Sequence, residues 1–209
     1  DFSAYEAMQY ICMDGSGPMP FTSLHGNRYV WALMCLKTRW VKLYFSKNKT
    51  QKTIMIILKL FLAYVRSYRR DVGYFGVTSK LLTDLGGEFT GKEIEKELSG
   101  LGIRHIFAAT GMHHQNAHVE RMFRTIWACM NRMIFTGATP PELWEEICTH
   151  AIYVKNRLGH PALDWQSPHF LCEGKESDDF KCLRVFYSPC WPVTDAYYNK
   201  FSATTAECK

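Results

Sequence analysis

The order of its patterned segments predicts a mixed α/β layer fold, with helices covering a central sheet, for this 209-residue chain. Three observations carry the prediction. Three apolar runs of strand length come in succession near the start. Strand-length and helix-period segments then alternate. Two long helical patterns follow. The composition is 47% hydrophobic, enough to bury a core, and this excludes a disordered chain.

Residues 10–13 (YICM) form the first run, broken by Gly15, Gly17 and Pro18, so Asp14 is expected at or near a strand's end. Residues 29–36 and 40–45 read as two further strands joined by a turn through residues 37–39, together a three-stranded meander. Residues 50–68 have helical period. Residues 77–83 predict a fourth strand ending at Asp84, and Gly86 and Gly87 turn the chain. A short helix over 92–101 is closed by Gly100 and Gly102, and 103–108 is a fifth strand. A polar loop over 109–115 leads into a helix whose buried stripe is Val119, Phe123, Ile126, Trp127 and Met130. Thr139, Pro140, Pro141 and Glu142 have the pattern of a capping box with proline at the first helical position. The helix they open runs to about Leu158. Residues 182–187 carry a weaker strand pattern.

Charge is uneven along the chain. The net charge is +5, and between Gly15 and Arg70 there is no acidic residue but eleven Lys or Arg, including Lys37, Arg39, Lys42, Lys47 and Lys49. Such a stretch suits a polyanionic partner such as nucleic acid, or is a solvated basic face without one. The eight cysteines show no CxxC and no zinc-finger spacing with histidine, which predicts free, buried thiols. The apolar run 54–65 is too short to span a bilayer and contains Lys59, and no signal peptide is visible, so no membrane association is expected. The chain starts at Asp1 rather than at methionine, as a piece of a longer protein would.

Glu120 stands out because it lies about 100° round its helix from Val119, just off the buried stripe, with Arg124 one turn further on. A surface Glu–Arg pair is the bland explanation. Asp84 precedes it with 35 residues between, and Asp14 and Asp84 both fall where strands of an α/β sheet end, the usual place for a site.

The words around these acids are specific. Asp14, Gly17 and Pro18 lie in DGSGP. Asp84, Gly86, Gly87, Glu88 and Phe89 lie in DLGGEF, and Gln115, Asn116, Glu120 and Arg121 in QNAHVER. In this order, with GNRY at 26–29, LW at 143–144, NR at 156–157, SP at 167–168 and LRVF at 183–186, the chain resembles the catalytic core of retroelement integrases, most closely the copia-type branch. Leu85 stands where that pattern has asparagine, and Ala117 where it has glycine.

The resemblance implies an RNase H-like mixed five-stranded sheet flanked by helices. It implies a core over residues 1–172, with 173–209 an extension of unassigned structure. It implies a polynucleotidyl transferase and endonuclease that processes 3′ ends and joins DNA strands. Asp14, Asp84 and Glu120 would be both its catalytic residues and the ligands of two Mg²⁺ or Mn²⁺ ions. Double-stranded DNA, as element ends and target, would be the partner, and self-association is expected. Gln115, Asn116, Arg121, Arg124, Lys37 and Arg39 are candidates for DNA contact, Arg124 on helix geometry alone. Glu88, near Asp84, is read as a structural or loop-capping acid. The setting would be intracellular, nuclear during integration and in a cytoplasmic particle before it. The family's zinc-binding domain, which precedes the core, is not in this sequence. The competing expectation is a decayed or domesticated core that binds DNA or itself without chemistry.

Overall fold

The computed structural model describes residues 2–72, 77–108, 113–137, 139–178, 183–184 and 186–188. Five strands form one sheet: β1 (Tyr10–Ser16), β2 (Tyr29–Cys35), β3 (Val41–Ser46), β4 (Lys80–Thr83) and β5 (Arg104–Phe107). Their spatial order is β3-β2-β1-β4-β5. The meander β1–β3 is antiparallel, while β4 and β5 join β1 in parallel. The helices are α1 (Gln51–Val72), α2 (Lys92–Gly100), α3 (His113–Gly137), α4 (Trp144–Arg157) and α5 (Pro168–Glu173).

Strand alternation divides the core into two layers. On one face Ile11, Met13, Trp31, Leu33 and Leu81 pack against Ile54, Phe61 and Val65 of α1 and Ile94 and Leu98 of α2. On the other, Cys12, Val30, Ala32, Met34 and Leu82 meet Val119, Phe123 and Ile126 of α3 and Trp144, Cys148 and Ile152 of α4. Nearly all of β2 is buried because helices cover both its faces. The stripe expected on α3 is the one observed, with Met122 added and Trp127 and Met130 half-buried.

Several boundaries differ from the sequence expectation. Strand β1 runs on through Gly15 and Ser16, so Asp14 lies inside it rather than at its end. Gly15 does not break the strand; it lets the Trp31 indole lie where a Cβ would collide. The break comes at Gly17, at φ 135°, where a Cβ would stand 2.7 Å from the Arg28 carbonyl oxygen. Helix α3 already begins at His113, taking in the last residues of the expected polar loop; residues 109–112 lie outside the description. Thr139 does not cap a helix. Its hydroxyl donates to the Met133 carbonyl at 3.1 Å, and a short 3₁₀ turn, Pro141–Leu143, precedes α4. The expected strand at 182–187 falls partly outside the described residues; Phe186 and Tyr187 lie in a turn. Cys12, Cys35, Cys148 and Cys172 are free and buried, as expected, and Cys129 is free and half-buried. Among the described residues no helix is long and apolar enough to cross a membrane.

Candidate active site

Alternation along β1 sets Asp14 on the same side as Cys12, facing α3. Its Oδ1 accepts the N–H of Gly15 at 2.8 Å. Strand β4 runs parallel beside β1 with Cys12 opposite Leu82. Asp14 lies two residues beyond that rung in β1, and Asp84 lies two residues beyond it, directly after the end of β4.

Four contacts fix the loop that carries Asp84. The Asp84 Oδ1 accepts the N–H of Gly86 at 3.0 Å. Gln51, the first residue of α1, donates from Nε2 to the Gly87 carbonyl at 3.1 Å. Lys49 pairs with Glu88 at 2.7 Å, with the Glu88 side chain only 8% exposed. Phe89 is buried edge-on against Trp31, ring centroids 6.2 Å apart. The same indole lies over Gly15, so one aromatic contact ties the Asp14 strand to the Asp84 loop. This gives GGEF a packing reason: its acid is held by a lysine and its aromatic ring by a tryptophan.

Glu120 is exposed at the end of the second turn of α3, beside the buried Val119. Asp14 feels the negative charge of both Glu120 and Asp84. Its pKa is pushed up to about 6, first by burial and then by these two acids, against the opposing pull of the Gly15 N–H and of Lys49. The Cys12 thiol beneath is pushed up as well, by burial first and then by the Asp14 and Asp84 charges. It is therefore not a thiolate ligand or nucleophile.

The three acids share a field without closing into a ligand set. Among the described residues no three His, Cys, Asp or Glu side chains form a group that could hold a metal ion. The donor chemistry nevertheless fits a hard divalent cation: oxygen donors only, from three elements, with Asp14 held toward its protonated form.

Lys49 is the residue that sequence reasoning missed. It reads as one of eleven cations in a basic stretch. In the fold its pKa is raised, first by its hydrogen bond to Glu88 and further by the Asp84 and Asp14 charges. It is the cation at the rim of the acidic site. Its signal in the sequence was Glu88, an acid read as structural, which needs a cation to hold it.

The candidate DNA contacts separate. Arg121 and Arg39 line one pocket beside α3; Lys37 and Arg124 are not in its wall. Arg124 is exposed on α3, one turn after Glu120. Lys37 is half-buried in the β2–β3 turn. Gln115 and Asn116 lie in the first turn of α3, and their side chains are outside the description.

Known proteins resemble this chain in both sequence and fold. It is 29% identical over 179 residues to the retrovirus-related Pol polyprotein from transposon TNT 1-94 of Nicotiana tabacum, a match covering 86% of this chain and 13% of that protein. It is 29% identical over 203 residues to the corresponding polyprotein from transposon RE2 of Arabidopsis thaliana, covering 96% and 13%. A third relative, from transposon 412 of Drosophila melanogaster, is 26% identical over 192 residues, covering 90% and 14%. The chain thus spans roughly an eighth of the length of these curated relatives. No family model matches it. A chain in the cryo-EM structure of the simian T-cell lymphotropic virus intasome with PP2A regulatory subunit B56 gamma superposes with a TM-score of 0.62 at 15% identity, over 78% of this chain and 54% of that one. At that identity the likeness speaks for the fold alone, and it agrees with the RNase H-like sheet that the motifs imply. The resemblance to retroelement integrase cores is borne out by transposon Pol polyproteins that match most of the chain.

Proposed function

We propose that this chain is the catalytic core of a retroelement integrase, a polynucleotidyl transferase that trims the 3′ ends of its element's DNA and joins them to target DNA. The observation that supports the reading is that Asp14, on a strand, feels the negative charge of Asp84, on a loop, and of Glu120, on a helix, the three acids of the integrase-like motifs. A half-buried carboxylate with its pKa raised by burial and by two further acids is a reason to look for function. Divalent cations bound there, Mg²⁺ or Mn²⁺ and two in number on the family pattern, would activate the attacking oxygen and stabilise the leaving one.

The protein's own part is positioning. Asp14 stands in β1 and Asp84 directly follows β4, the parallel neighbour of β1, while Glu120 is carried by α3. Asp14 must lose its proton before it can ligate. Lys49, held by Glu88, offsets part of the negative charge at the rim. Arg124, one turn beyond Glu120, would meet DNA phosphate. Duplex DNA is the proposed partner, and assembly with further copies of the chain, in the nucleus, the proposed working state.

The test is Mn²⁺-dependent trimming of a labelled duplex end by the chain and by Asp14→Asn, Asp84→Asn and Glu120→Gln. Each substitution should cost about 100-fold or more if the acids act as a unit. A specific observation favours a second reading, a DNA-binding core without chemistry. The triad is open, and Leu85, in place of the pattern's asparagine, puts a half-exposed apolar side chain beside Asp84. That reading expects duplex binding with no trimming from any form of the chain.

A further inference from the structure

Beside α3, next to the acidic site, lies a cavity of about 220 Å³ whose polar wall, apart from Thr125, is basic: Arg39, Arg121, Lys155, His118 and His160, over a floor of Met34 and Met122. Among the described residues no carboxylate lines it. Four parts of the chain supply the basic groups: the β2–β3 turn, α3, α4 and His160, which caps the 3₁₀ turn Pro161–Leu163 after α4. We infer that this pocket is a binding site for a phosphate group.

Arg39 is the first reason. Its Nη1 is buried and has no acceptor, an unmet donor inside a cationic wall. Its backbone carbonyl accepts from Lys155 Nζ at 3.2 Å, which brings the lysine to the same spot. Its guanidinium lies over the face of Phe2, 5.9 Å from the ring centroid, a cation–π contact.

The two histidines are the second. Arg121 Nη2 donates to His118 Nδ1 at 3.2 Å, and the backbone N–H of Ala162 donates to His160 Nδ1 at 3.1 Å. Both rings therefore accept at Nδ1 and carry their proton on Nε2, a donor for an anion. The like charges also work against one another. Lys155 is pushed down to about 8, by burial first and then by Arg39, and Arg39 is lowered by burial and then by Arg121. An oxyanion would relieve this, and planar arginine forks match its oxygens two at a time. The cavity is smaller than an ordinary drug-sized pocket, about 300 Å³ upward, and suits one or two phosphoryl groups.

The place fits a backbone phosphate of bound DNA. Met34 sits opposite Cys12, two residues along the sheet from Asp14 and its partner Ala32, about 7 Å. A strand whose reacting phosphate lay at the acids would bring a neighbouring phosphate to this pocket. This deepens the integrase reading through Arg39 and Arg121 but uses no metal and no carboxylate, so either can fail without the other.

The test is titration of the full chain with pyrophosphate in metal-free buffer at constant ionic strength, followed by calorimetry and by NMR shifts of residues 118–125. Saturable one-to-one binding is expected, weakened at least about ten-fold in Arg121→Gln and in Lys155→Gln but not in Lys59→Gln on α1. Arg121 is exposed, so its substitution tests the pocket even if Lys155→Gln fails to fold. Displacement of pyrophosphate by a short duplex would identify the source as DNA backbone; displacement by free polyphosphate alone would identify a soluble ligand. No saturable binding, binding indifferent to both substitutions, or selective binding of oligoglutamate would overturn the inference.

Discussion

At the residue scale the acidic site stores unfavourable energy in Asp14. Its folded pKa, about 6, lies above its ordinary value of 3.8, so the fold favours the protonated acid. The stability it contributes is fully present below pH 3.8 and is lost as pH rises through about 6. In metal-free buffer at pH 7.5, Asp14→Asn should therefore raise stability by about 1–3 kcal/mol, measured by denaturant melts, and the gain should vanish near pH 4. A loss at pH 7.5 would mean that Asp14 is not strained. Lys49 works in the opposite sense. Lys49→Met leaves the nearly buried Glu88 without its cation and should cost about 1–3 kcal/mol, the lysine's own exposure keeping the figure down, while Lys49→Arg should keep most of it. The acids were legible because each stands in a short, distinctive word, DGSGP, DLGGEF or QNAHVER. Lys49 was not, since its partner arrives from a loop on a different strand and nothing local distinguishes it from Lys47 or Lys52.

At the scale of elements, α4 holds the exposed edge of the sheet. Strand β3 is an edge, and the buried Asn156 clamps it by accepting from the Val41 N–H at 3.0 Å and donating to the Val41 carbonyl at 2.8 Å. Asn156→Leu leaves both backbone groups unmet and should destabilise by about 2–4 kcal/mol in thermal or urea melts; Asn156→Asp, keeping only the acceptor, should fall between. Equal stability of all three would remove the clamp from the account. All five strands and the helices α1 to α4 were legible from period and turn residues, because alternating and helical patterns are imposed by which face is buried. Their ends were not. Gly15 reads as a breaker until Trp31 is seen to need its missing side chain, and Thr139 reads as a cap until its hydroxyl is seen to close the preceding helix. Both depend on partners distant in sequence or on choices that local propensity leaves balanced.

At the scale of the whole molecule, charge explains how the two sites relate. The run of cations between Gly15 and Arg70 is not one face: Lys49 and Lys59 pair with Glu88 and Glu97, whereas Arg39 turns into the cationic pocket with Arg121 and Lys155. Composition could show the excess but not its division, because that division follows from which helix covers which side of the sheet. An acidic centre with a basic pocket along the same layer suits a strand of DNA whose reacting phosphate sits at the acids. Neutralising Arg121 and Arg124 together should weaken duplex binding and flatten its salt dependence by about two charges, read from binding isotherms across a salt series. An unchanged slope would place the DNA elsewhere. The measurement that bears most directly on the central claim is strand transfer of a labelled duplex end into plasmid DNA, with Mg²⁺ or Mn²⁺, by the chain and by its Glu120→Gln variant, both also checked for duplex binding. Joined product is expected from the former, none from the latter, and equal binding by both. Joining that survives Glu120→Gln would contradict the claim.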